Sequence, residues 1–151
     1  MKERVSILLL FGLALVGCGG NTSTLAGPTP PPTPTPNPAA TFSSIQHDIF
    51  ETSDANGRAA CANCHTSTGR SPAGGLDLGH AAAYDQLVNM PTRAMAGAMR
   101  VVPGEPDRSY LLRTLEGSGI VGQRMPINGP YLTEAQMGMI KQWIAAGAPR
   151  N

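Results

Sequence analysis

Hydrophobic positions follow three different patterns along the chain. Residues 5–16 are apolar without periodicity, interrupted only by Ser6 and Gly12. Residues 19–40 carry almost nothing apolar and no charge. From Thr41 onward apolar side chains recur three and four positions apart, the spacing of one helix face, and no stretch sustains the alternation of period two that a half-buried strand requires.

Within 41–151 the pattern predicts four helices. The first, 43–52, carries Ile45, Ile49 and Phe50 and leads into the loop before Cys61. The second runs over about 80–89 with Tyr84, Leu87 and Val88, and stops before Pro91. Pro106 opens a third near Asp107, with Tyr110, Leu111, Leu112 and Leu115 on one face and Gly117 as its end. The fourth, 133–147, begins at a capping box of Thr133 and Gln136. Met137, Ile140 and Ile144 form its inward stripe, Met139 lies off that stripe, and Gly147 stops it. The expected fold is mainly α, about four helices joined by long Gly/Pro loops.

The apolar run at 5–16 follows Lys2 and Arg4 and is too short to span a bilayer, which takes about 20 apolar residues. A basic start, a short apolar core and then small residues read as an export signal, assigned to 1–17. Leu15-Val16-Gly17-Cys18 resembles the lipobox of bacterial lipoproteins. The resemblance implies that Cys18 is acylated on sulfur and becomes the first residue after cleavage; the alternative is a secretory signal with an incidental Cys. Several acyl chains on one residue anchor stably, whereas a single chain holds only marginally. Gly19 after Cys18, in place of Asp, fits an outer-membrane lipoprotein facing the periplasm, with the extracytoplasmic face of the plasma membrane as the alternative.

Composition changes the picture at 18–40. Seven of the 14 prolines fall between Pro28 and Pro38. Such a segment buries too little to offset its ordering entropy, and its prolines bias it to an extended spacer rising about 3.1 Å per residue. It reads as a tether holding the domain 41–151 away from a membrane, although Pro/Thr segments also bind partners or carry glycans. Beyond residue 4 acidic and basic side chains balance, and the whole chain has a formal net charge of +1. That argues against a nucleic-acid binder, which carries a basic stripe. Only six aromatics lie in 41–151, a poor core for so small a domain unless something else fills it.

Cys61-Ala62-Asn63-Cys64-His65 names a filler. Two thiols separated by two residues can each add to a haem vinyl group, and the following His then serves as proximal iron ligand. Three alternatives use some of the same atoms. A thioredoxin-like dithiol needs a βαβ context. A zinc site needs a fourth ligand and usually a second Cys/His pair. A plain disulfide suits an exported protein but leaves His65 unexplained. For the distal position the methionines after the motif are Met90, Met95, Met99, Met125, Met137 and Met139. Met125 is preferred because it precedes Pro126 in the Gly/Pro-rich loop 117–130, with Met90-Pro91 as runner-up. Met137 reads as helix packing. His47 and His80 offer bis-His ligation instead.

The domain resembles a class I cytochrome c, most closely the planctomycete-type cytochrome c domains. The stretches that carry the resemblance run in order over about 43–149. They are Ile49-Phe50, Cys61 to His65, Gly74-Gly75-Leu76-Asp77-Leu78, Val101-Val102-Pro103-Gly104-Glu105-Pro106, Ser109-Tyr110-Leu111, Met125-Pro126, Leu132-Thr133 and Trp143-Ile144-Ala145-Ala146-Gly147-Ala148. The resemblance implies a cytochrome c-like single-haem domain whose first and last helices pack across each other. One haem c is attached through Cys61 and Cys64, with iron held by His65 and Met125. Arg58, Arg70, Arg124 and Trp143 are candidates to meet the haem propionates, and Asp77 reads as a turn former. The expected function is one-electron transfer between a donor and an acceptor protein that dock transiently in the cell envelope, with membrane attachment through Cys18 and no catalytic residue. The alternatives are a haem-based sensor or a peroxidase-like enzyme with an open distal site, or a structural surface lipoprotein if the motif is accidental.

Overall fold

In the computed structural model residues 40–151 are described. The segments read from the sequence as an export signal and a tether, with Cys18 and apart from Ala40, lie outside the described residues. The described part is mainly helical: α1 (Phe42–Ile45), α2 (Ala83–Leu87), α3 (Tyr110–Glu116) and α4 (Glu134–Ala145). The only extended pairings among the described residues are two isolated bridges, Val88 to Val101 and Pro91 to Met99. None of these helices is long and apolar enough to cross a membrane.

The first element starts where Thr41 accepts a hydrogen bond from Ser44 N at 3.1 Å, satisfying one of the free amides of the first turn. Its regular turn widens over Gln46–Glu51 into a π-helical stretch. The widening accommodates a buried Gln46, whose Nε2 donates to Leu78 O at 2.9 Å and Glu51 Oε1 at 2.8 Å. It leaves Ile49 and Phe50 both buried. Turns of this kind often mark functional positions, and here both residues reach the main cavity.

The α4 helix follows the predicted pattern at its start. Gln136 N donates to Thr133 Oγ1 at 3.2 Å and Thr133 N to Gln136 Oε1 at 3.0 Å, the reciprocal capping box. Ile140 and Ile144 are buried, and Trp143 is buried with them, while Met137 and Met139 pack partly buried against the same core. Met139 is thus inside the stripe's edge rather than off it. Phe42 joins the elements: its ring centroid lies 5.4 Å from Trp143, 5.1 Å from Tyr84 and 6.5 Å from Phe50. Four of the six aromatics thus form one cluster, three of them gathered around Phe42.

The α2 helix is shorter than the expected 80–89. Residues 80–82 form turns, and the chain leaves the helix at Val88 to bridge Val101. Tyr84 Oη fixes it by donating to Ala148 O at 2.9 Å. The α3 helix begins at Tyr110 after a separate short 3₁₀ turn, Pro106–Arg108. Between the two, buried Ser109 accepts from Val102 N at 2.9 Å and donates to Glu105 O at 3.0 Å. Gly117, at φ +79°, ends α3 in the left-handed region that favours glycine.

Candidate functional site

The Cys61–Asn63 segment is a 3₁₀ turn, and His65 N closes on Cys61 O at 2.9 Å. The turn is held from behind by Arg58, a fully buried guanidinium. Arg58 Nη1 donates to Ile49 O and Ala59 O, both at 2.9 Å, and Nη2 to Thr52 O at 3.0 Å and Asp48 O at 3.3 Å. Its Nε reaches Asp54 Oδ2 at 3.2 Å. Arg58 therefore answers the carbonyls left open where the first helix stops, which is why it does not reach for a ligand. Burial works upward on the Asp54 carboxyl, but hydrogen bonds from Arg58 N, Asn56 N and Gln136, with the Arg58 charge, bring it below the usual carboxylate range.

Cys61 is largely buried, its Sγ 3.4 Å from Ile49 O and 4.0 Å from Arg58 Nη1, and burial pushes its thiol up despite the nearby guanidinium. Reactive dithiols have the opposite shift, so the thioredoxin-like reading loses support. Both thiols are free, Cys64 being exposed. Among the described residues no three His, Cys, Asp or Glu side chains gather as a metal site.

His65 presents its Nδ1 to Ala73 O at 3.0 Å. A carbonyl only accepts, so Nδ1 carries the proton, and the neutral ring keeps its lone pair on Nε2 for a ligand bond. The segment that supplies this carbonyl is pinned on both sides, Ala73 N to Cys64 O at 3.1 Å and Leu78 N to His65 O at 2.8 Å. Asp77 closes the adjoining turn, accepting from Gly79 N at 2.8 Å and from Ser67 Oγ. Those bonds, the Ser67 hydroxyl first, hold its carboxyl below the usual range, and Asp77 is the turn former the sequence suggests.

Met125 comes from a separate segment, the loop that follows α3. Its loop is fastened to α3 by Met125 N to Thr114 O at 3.1 Å and by Arg124 Nε to Leu115 O at 2.8 Å. The Arg124 guanidinium sits 3.8 Å from the Tyr131 ring centroid. Tyr110 Oη accepts from Val121 N at 2.9 Å within the same loop.

Cys61, His65 and Met125 line one cavity of about 430 Å³, together with apolar side chains that include Ile49, Phe50, Leu76, Leu78, Leu87, Leu111 and Leu115. That volume and lining fall in the range of cofactor sites, about 300–1,000 Å³. Cys64 is exposed on the same turn and is not part of the lining.

The other candidate ligands lie elsewhere. Met90 is 38% exposed and does not line the cavity. The His47 side chain is 76% exposed beside Asp48, and that of His80 is 85% exposed near Glu51. His80 lines a second cavity of about 280 Å³, with buried Gln46 and Arg150.

None of the four residues suggested for the propionates lines the main cavity. Arg58 is spent on carbonyls, Arg124 on its loop, and Arg70 is exposed. Trp143 is a core residue whose Nε1 donates to Pro149 O at 2.9 Å. The cations that do line the cavity are Arg93 and Arg100, which sequence reasoning missed. One signal was available: from Asp85 to Glu105 the chain has two arginines and no intervening acid.

Comparison with known proteins brings no match: no family model, no curated protein and no solved structure matches the chain.

Proposed function

We propose that the chain is a membrane-anchored, monohaem c-type cytochrome of class I type, which carries single electrons between redox proteins in the bacterial cell envelope. The observation that carries this reading is the convergence of Cys61 and His65, from one turn, and Met125, from a distant loop, on one largely apolar cavity of cofactor size. Cys61 and Cys64 would hold haem c covalently, and His65 and Met125 would fill the two axial positions. When bound, the haem supplies a one-electron couple.

The remaining work belongs to the chain. His65 keeps its Nε2 lone pair available because Nδ1 is committed to Ala73 O. The loop fastened to α3 holds Met125 at the cavity, and a soft thioether as second iron ligand would favour a raised potential. Acylated Cys18 and the Pro/Thr tether would attach the domain to a membrane while leaving it free to meet a donor and an acceptor, and the balanced charge suits brief, weakly steered docking. No residue is assigned a catalytic role.

A peroxidase-like site needs a second acid–base group over the iron. Among the residues lining the cavity the only imidazole is that of His65. An open sensor site needs Met125 elsewhere.

The test is the visible spectrum of the full chain, produced with a haem-attachment system, in ferric and ferrous forms with and without carbon monoxide, beside Met125→Ala. The expected result is covalent haem with a low-spin spectrum indifferent to carbon monoxide, and a reactive Met125→Ala. A wild-type protein that is high-spin and binds carbon monoxide overturns the carrier reading, and one without covalent haem overturns the cofactor itself.

A further inference from the structure

We propose that Arg93 and Arg100 form the anion-holding end of the main cavity and receive the two carboxylates of its tetrapyrrole. This deepens the haem reading above and rests on it.

Both arginines line the cavity, and no Asp or Glu does. Arg100 is only 7% exposed. Its Nη1 donates to Gln86 O at 2.7 Å and Gln86 Oε1 at 2.9 Å, and its Nη2 to Gly75 O at 3.0 Å, so every partner is neutral. The Arg93 guanidinium lies against the same glycine: a Cβ at Gly75 would stand 2.6 Å from Arg93 Nη1. Gly75, at φ +64°, thus provides the hollow into which one guanidinium folds and the carbonyl that steers the other. Burial, and after it the charge of Arg93, pull Arg100 below the usual guanidinium range. Arg93 is exposed and its charge meets water, whereas Arg100 is buried with neutral partners only, and a buried cation so placed beside a second one is costly unless an anion joins it.

Apart from the exposed Arg70, the other arginines in the surroundings have their answers. Arg58 pairs with Asp54, Arg108 with Glu105 and Arg150 with Asp85. Arg113 and Arg124 lie over tyrosine rings. Arg93 has no acidic or aromatic partner among the described residues. Guanidinium forks match carboxylates in shape, binding them through two parallel N–H donors. A group with a largely apolar body and two carboxylates at one edge is therefore the complement of a mostly apolar cavity whose only cations among its lining arginines and lysines are Arg93 and Arg100. The pair would set which edge of the tetrapyrrole enters first and would hold its carboxylates ionised well into the acid range.

The experiment follows the reduction potential against pH, from about 5 to 8, in the haem-loaded full chain and in Arg93→Gln and Arg93→Lys. Arg93 is the position of choice because it carries no hydrogen bond of the fold, whereas Arg100 ties Gln86 to Gly75. In the loaded protein Cys61 and His65 would be committed to the haem, and Tyr110, the remaining titratable side chain of the lining besides the arginines, is the same in all three proteins. With both cations present the potential should be flat over this window. In Arg93→Gln it should fall with rising pH through a transition displaced upward by about one unit or more, and Arg93→Lys should restore most of the flat profile. Profiles of wild type and Arg93→Gln that superimpose, with haem attached in both, overturn the proposal. Absence of covalent haem from all three is a different failure, that of the haem reading, and takes the ligand of this proposal with it.

Discussion

Replacing Arg58 by Met tests whether a guanidinium, rather than bulk, closes the end of the first helix. Met fills most of the volume but donates nothing. Four carbonyls, of Asp48, Ile49, Thr52 and Ala59, lose a charged donor at once. Those of the exposed residues can turn to water, while Ile49 is buried and keeps only the weak Cys61 thiol contact at 3.4 Å. One buried acceptor left unpaired costs about 1–3 kcal/mol. The partly rehydrated bonds add to this, giving about 3–5 kcal/mol in all, the usual scale for removing one partner of a buried charged network. In a domain of this size that lowers the thermal midpoint by about 10–20 °C. Arg58→Lys retains the charge but concentrates its donors on one atom, so it should recover about half the loss. The assay is thermal unfolding at neutral pH followed by circular dichroism. A Met variant within about 1 kcal/mol of wild type would refute the reasoning, as would a Lys variant indistinguishable from Arg.

Thr133→Ala removes one half of the α4 capping box and should cost about 1 kcal/mol, read as a lower thermal midpoint with unchanged helix content. Asp54→Asn tests the depressed carboxyl. Because its folded pKa lies below the unfolded value, the stabilisation is complete above about pH 4 and disappears as pH falls through the folded pKa. The stability gap between wild type and Asp54→Asn should therefore be full at neutral pH and shrink in acid; a gap constant down to about pH 2 contradicts the assignment. His47→Ala and His80→Ala, both exposed and outside the main cavity, should leave the ferric and ferrous spectra unchanged. Loss of the low-spin bands in either would restore bis-His ligation.

Local chemistry explains what the sequence made legible. The α4 helix could be read from its capping box and stripe, and α3 from Gly117 and its leucines, because caps and periodicity act within a few residues. Cys61, His65 and Met125 were likewise found by adjacency and loop position, and they line one cavity. What escaped depends on closure in three dimensions. An arginine three residues before Cys61 looks like a cofactor partner until the end of the first helix is seen to absorb its donors. Trp143, close in sequence to nothing in the site, was placed at the cavity although its stripe position between Ile140 and Ile144 pointed to the core. Arg93 and Arg100 went unnoticed because Gly75, the residue that gathers them, lies in a distant segment. The π-helical widening at Gln46–Glu51 has no local signature either, since the Leu78 carbonyl that Gln46 bonds lies far along the chain.

The loop that carries Met125 has no regular secondary structure, yet it is stitched to α3 through Tyr110, Thr114 and Leu115. Its amides at Val121 and Met125 should thus resist solvent exchange more like those of a helix than of a connector. A wall already set in place asks little ordering entropy of whatever docks against it. For an electron carrier the same stitching has a kinetic meaning. A ligand sulfur that need not relocate when the charge beside it changes contributes little to the reorganisation barrier, so the irregular segment of the domain would be the one that keeps transfer fast.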